Sequence, residues 1–331
     1  MHTRSFALLV ALGLPTISAQ PQRRPLAVEP LTNIAFRPTG TRLRVNPDGK
    51  THSKYAVDGA IDYIPATQSF VLSWNGADGT RERMTYEPRT MALPVVATAV
   101  TFDAASRLYT YSYEFTNLPG AKQHLQSVYM ETTLPQRARG PNGWYSAQFT
   151  TYLKKQFAVS DGWGLSQIDG TLGIPPGQQA SGFQLSSVYP PGIVRCWAAG
   201  RAAPLAGGNS ELPDALHAAL DAVAWVLPKG SCVGPVLVNG GETAGARLNR
   251  LAAMVDQAEQ QGWLGPATTA SVVRSSLAPI RAALTQGTSA PAAGQIGTLL
   301  QDLDGAKYAG MLSEGRALLE FQLGVVRDRI R

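Results

Sequence analysis

Cysteine and histidine are scarce in this 331-residue chain, and their scarcity narrows the chemistry open to it. Only Cys196 and Cys232 occur, and His52, His124 and His217 stand far apart with no helical H-x-x-x-H spacing. No metal site is therefore expected. The familiar nucleophile signature is missing too: in "GWGLS" the serine falls one place too late for a nucleophile elbow. "GGNSELP" and "GGETAG" lack the lysine of a phosphate loop and the strand–glycine–helix setting of a dinucleotide fingerprint, so no cofactor is expected. Charged residues make up 16% of the chain, and the net charge of +6 is spread along it. Its only clusters are short, at Arg23–Arg24, Arg137–Arg139 and Lys154–Lys155. A nucleic-acid partner would call for a denser basic stripe, so none is expected.

Long apolar runs are absent as well. The run "FALLVALGL", Phe6–Leu14, is too short for a membrane span, which needs roughly 20 residues. With Arg4 before it and "PTISA" after it, it has the layout of a secretory signal ending at Ala19. No cysteine follows at a lipidation position and the "RDRIR" end carries no anchor, so the expectation is a secreted or periplasmic protein. Export to an oxidising compartment makes a Cys196–Cys232 disulfide the expected state, with two buried free thiols as the alternative. The bond would contribute about 3–4 kcal/mol on the chain-entropy account.

What the chain does have is a change of rhythm. Residues 20–30, "QPQRRPLAVEP", form a proline-rich leader expected to be mobile. From residue 31 strands and turns recur about every twelve residues, the spacing of an antiparallel sandwich. In "LYTYSYEFTN" the rings Tyr109, Tyr111, Tyr113 and Phe115 share one strand face, and Thr110, Ser112, Glu114 and Thr116 share the other. That alternation predicts a half-buried strand with the rings in the core. After a Gly/Ala/Pro-rich stretch the period becomes helical. Four apolar stripes follow: Leu248/Leu251/Val255/Ala258, Val273/Leu277/Ile280/Leu284, Ile296/Leu299/Leu300/Leu303 and Leu319/Leu323/Val326/Ile330. The expected fold is α+β: an antiparallel β-sandwich over 31–205, a linker with one helix over 206–245, and a small helical bundle over 246–331.

The stretches "LNRLAAMVDQAEQQGW", "LAPIRAAL", "AAGQIGTLLQDL" and "GMLSEGRALL" resemble the FIMAH-type helical module at the C-termini of secreted, multidomain bacterial proteins. The likeness covers about a quarter of the chain and departs from the module at the proline-containing "GTSAPAAG". It implies a non-catalytic accessory domain. Upstream, "IPPGQQASGFQLSSVYPPG" resembles a turn-and-strand element of exported bacterial β-sandwich proteins.

For binding, the richest stretch is residues 139–164, where Trp144, Tyr145 and Trp163 fall in glycine-rich segments near Arg139 and Lys154. Rings on loops at one end of a sandwich stack on sugars or peptide side chains, while cations anchor acidic groups. The competing expectation is that the tryptophans cap the core. Three Asp–Gly segments read as plain turns rather than calcium loops. The leading expectation is an exported binding or surface-assembly protein without enzymatic activity, recognising an extracellular glycan or protein ligand. The alternative is a secreted hydrolase acting on a glycan or other polymer, for which Glu114 and Glu131 offer a carboxylate pair on neighbouring predicted strands.

Overall fold

The ring-bearing strand finds its partner sheet in the computed structural model, which describes residues 23–27, 43–45, 52–54, 60–76, 79–132, 137–167, 173–202, 212–213, 216–217, 220 and 226–330. The expected signal segment lies outside the described residues. Strands β1 (Leu43–Val45) and β2 (His52–Lys54) pair with each other. Strands β3 (Ala60–Ile64), β4 (Ser69–Asn75) and β5 (Arg81–Tyr86) form a separate antiparallel meander. Its inward residues Ile61, Phe70, Leu72 and Trp74 are buried with Leu216 and Leu220, from the helix expected in the linker. The sequence reading merged these first strands into the sandwich. They build a small core of their own instead.

The sandwich begins at β6 (Pro94–Asp103) and β7 (Leu108–Asn117), which pair across the expected hairpin. With β12 (Gln179–Ser187) and β9 (Arg137–Arg139) they make a four-stranded sheet in the order β6-β7-β12-β9. The facing sheet has five strands in the order β10 (Trp144–Gln148), β11 (Gly162–Gln167), β8 (Leu125–Glu131), β13 (Pro191–Gly200) and β14 (Lys229–Pro235). Tyr111, Tyr113 and Phe115 are buried between the sheets, as the alternation predicts, and each contributes about 1.5–3 kcal/mol. The Tyr111 hydroxyl donates to the Tyr189 carbonyl at 2.7 Å, so its polar end is satisfied.

Three expectations are corrected here. Strands β7 and β8 do not pair; they lie in opposite sheets. The β-branched and aromatic composition of "AQFTTYL" predicts a strand, yet the segment is divided between β10 and helix α1 (Thr151–Phe157), which the Thr150 side chain caps by accepting from the Leu153 amide. Strand β14 lies inside the expected linker and pairs with β13. Its sequence, "KGSCVGP", has too little period-2 alternation to announce a strand.

Four helices follow: α2 (Ala244–Gln260), α3 (Ala267–Thr285), α4 (Ser289–Asp302) and α5 (Ser313–Ile330), with a short 3-10 turn at Ala306–Tyr308. All four apolar stripes face inward. Helix α4 starts within the proline-containing "GTSAPAAG", because Pro291 sits in the first turn, where its missing N–H costs nothing. The bundle and the sandwich share one apolar core. Helix α5 packs along β6 and reaches β13 and β14, covering the side of the sandwich where the edge strands β6 and β14 would otherwise stand open.

The leader is not loose where it is described. Leu26 is buried, its amide donates to the Pro94 carbonyl at 2.9 Å, and Ala27 bridges to Lys229 of β14. Arg23 pairs with Glu314 at 2.9 Å, and the buried Glu314 carboxylate also accepts the Thr98 amide of β6 at 2.7 Å. Residues 23–27 thus join β6, β14 and α5. The expectation of mobility missed this because the short apolar run Leu26–Val28 is set among prolines and charged residues.

Candidate functional site

The five residues expected to bind at 139–164 do not converge. Trp163 lies on strand β11, is 1% exposed, and donates from Nε1 to the Ser146 hydroxyl at 2.6 Å. Its flanking glycines are strand positions, not loop. A Cβ on Gly162 would stand 2.2 Å from the Phe149 ring, so the residue's smallness lets that ring cover the sheet. Trp144 also points inward, edge-on to Phe183 with ring centroids 4.9 Å apart. Tyr145, next along β10, points to the outside of the five-stranded sheet and is 57% exposed. Lys154 lies on α1, paired with Asp161 at 3.2 Å. Arg139 faces the outside of the other sheet and donates from Nε to Gln184 at 2.9 Å. The tryptophans belong to the core, and the remaining three are divided between opposite faces.

The carboxylate pair is separated in the same way. Glu114 alternates with Tyr113 and Phe115, so it faces outward from the four-stranded sheet. Glu131 alternates with the core residue Met130 and faces outward from the five-stranded one. Arg195 grips Glu131 with bonds of 2.7 and 3.1 Å. The two acids lie on opposite sides of the sandwich and flank no common bond.

The expected disulfide is also corrected. Cys196 stands opposite Gly230 and Cys232 opposite Val194, so the cysteines are diagonal neighbours across the β13–β14 ladder. Diagonal positions are about 7–8 Å apart, beyond the usual Cβ spacing of a disulfide. Both are free, buried thiols. A hydrogen bond with Cys196 and burial push the Cys232 thiol well above its ordinary pKa. Iodoacetamide, which needs the thiolate, should leave both unmodified in the native protein and label both after unfolding without reductant. An unfolded, unreduced chain that takes no label would restore the disulfide.

A different site forms where the ring stripe leaves the core. The β6–β7 turn is held by Asp103, whose carboxylate accepts the Ser106 hydroxyl at 2.6 Å and the Ala105 amide at 3.0 Å. These bonds hold the Asp103 carboxyl below its usual pKa. Arg107 closes the turn with φ of 56°. The turn sets Phe102 directly opposite Tyr109, with ring centroids 4.6 Å apart. Phe321 of α5 meets Tyr109 edge-on at 5.3 Å.

The three rings line a groove of about 400 Å³ between the hairpin, α4 and α5. Gly324 lies one turn beyond Phe321, and nothing stands within 4 Å of where its Cβ would be. Five charged side chains complete the lining. Arg316 is held by Asp304 at 2.5 Å and lies 3.9 Å from Glu320. Arg327 has its Nε buried without a hydrogen-bond partner. Burial, and then the nearby Asp328 carboxylate, raise the Tyr109 phenol above its ordinary pKa, so it remains a hydroxyl donor at neutral pH.

Sequence reasoning assigned Tyr109 to the core and gave Phe102 and Phe321 no role. A signal was nevertheless present. Phe321 lies off the buried stripe of α5, and Phe102 and Tyr109 end their strands beside a turn.

Among the described residues, no helix is long and apolar enough to cross a membrane, and no group of three or more His, Cys, Asp or Glu is placed to hold a metal ion. No protein-family model matches the chain, and no curated protein matches it. Among solved structures, the chain is similar to an uncharacterised protein from Nocardia farcinica with an immunoglobulin-like fold, at 14% identity. That match covers 41% of this chain and 96% of the other, with a TM-score of 0.24.

Proposed function

We propose that this is an exported, non-catalytic binding or surface-assembly protein that holds an extracellular glycan or peptide at the seam between sandwich and bundle. The groove walled by Phe102, Tyr109 and Phe321 carries the reading. It has the size of a small-ligand site and combines apolar walls with a few fixed polar groups. Its walls come from both halves of the chain, so the helices are part of the seat. In this reading residues 248–331 are the FIMAH-like accessory module, and the apolar run at 6–14 directs the chain to a secreted or periplasmic location. The rival hydrolase gains nothing from Glu114 and Glu131, which lie on opposite faces.

The test is a glycan microarray and a peptide library probed with the mature chain and with Phe321→Ala. Retention of a glycan or peptide by the wild type, weakened in the variant, is expected. Turnover of any probe, or retention of none, would overturn the reading.

A further inference from the structure

We infer that the groove between the β6–β7 hairpin and α5 takes a neutral saccharide, its ring faces against Phe102 and Phe321 and its hydroxyls on the charged rim; this rests on the binding reading above. Phe102 is 44% exposed, unusual for a phenylalanine, and its ring stands in contact with Tyr109 rather than turned away from the protein. Phe321 meets the same tyrosine edge-on from a rigid helix. The apolar wall is therefore assembled from two elements, already in position.

The rim decides the ligand's charge. Asp304, Glu320 and Asp328 face Arg316 and Arg327, so carboxylates slightly outnumber guanidiniums. An acidic ligand would meet three carboxylates with one guanidinium already engaged by Asp304. A cationic ligand would meet two arginines. A neutral polyol needs both donors and acceptors in one place, and the rim supplies them: the Tyr109 hydroxyl and the exposed Arg316 guanidinium donate, and Glu320 and Asp328 accept. An extended peptide would seek an open strand edge. The edge of β6, the groove's own hairpin, has α5 packed along it, where Glu314 takes the Thr98 amide.

The experiment is saturation-transfer NMR and titration of the mature chain with cellobiose, maltose, N,N′-diacetylchitobiose, digalacturonate and a mixed tetrapeptide pool. Expected is transfer to ring C–H protons of at least one neutral disaccharide. Its dissociation constant should rise roughly tenfold in Phe102→Ala and in Phe321→Ala. Phe102→Ala should melt only slightly below the wild type, because the ring is half exposed and loses one cross-strand contact, which separates lost binding from lost folding. Transfer confined to digalacturonate or to peptides, and weakened by Phe102→Ala, would overturn the neutral-saccharide proposal and leave the binding reading standing. Transfer to a disaccharide that neither variant weakens would place the sugar elsewhere and overturn this site. No transfer to any probe would overturn the proposal and count against the binding reading as well.

Discussion

Trp163→Ala is expected to lower the stability of the protein by about 3–5 kcal/mol, the range for removing a buried tryptophan. Two effects add up. The indole is buried beside Leu165, Met130 and the other inward residues of the sandwich, so its loss leaves a cavity that the two sheets cannot close. The Ser146 hydroxyl also loses the Nε1 donor that satisfies it. Tyr145→Ala, eighteen positions earlier on the adjoining strand, should change stability by less than about 0.5 kcal/mol, since that ring stands in solvent. Thermal or urea unfolding of the two variants makes the comparison. Equal melts would mean that Trp163 is not a core residue and would reopen the 139–164 segment as a binding end.

Glu314→Ala should be comparably damaging, at about 3–5 kcal/mol, although it removes far fewer atoms. The carboxylate is fully buried at the first turn of α5, where a negative charge is favoured by the helix terminus. Its loss strands the Thr98 amide of β6 without an acceptor and leaves Arg23 with only the Ser313 hydroxyl. Glu314→Gln retains an oxygen for the amide and should lose less. The order expected in urea is wild type, then Gln, then Ala. An alanine variant as stable as the wild type would show that Glu314 does not hold the helix to the sheet.

The parts legible in the sequence were those written in periodicity. The stripe Tyr111–Tyr113–Phe115 and the four helical stripes from Leu248 onward each repeat a side-chain pattern that only one backbone period explains, and each is buried as that pattern requires. Strand β14 was hidden because its ladder is made by "KGSCVGP", where glycines leave room for Leu26 and Val194 to press against the sheet. "GWG" misled for the same reason. Glycine next to a tryptophan suggests an exposed turn, yet here it lets Phe149 and Tyr129 lie close over a central strand.

Which strands share a sheet is a long-range property, and it undid the Glu114–Glu131 pair. Adjacency along the chain carries no information about which layer a strand joins once the connection crosses over. The groove was illegible for a related reason. Phe102 and Tyr109 are neighbours through a turn that can be read locally, but Phe321 joins them only because α5 closes the side of the sandwich.

That closure also sets a timetable. Arg23 and Glu314 are 291 positions apart, so the first described residues find their partner only when the last helix is available. Until then Arg23 lacks its carboxylate partner, the Thr98 amide has no acceptor, and the outer strands β6 and β14 lack the helix that covers them. Once the intervening sheets and helices have formed, that contact closes little open loop, so it completes the fold rather than starting it.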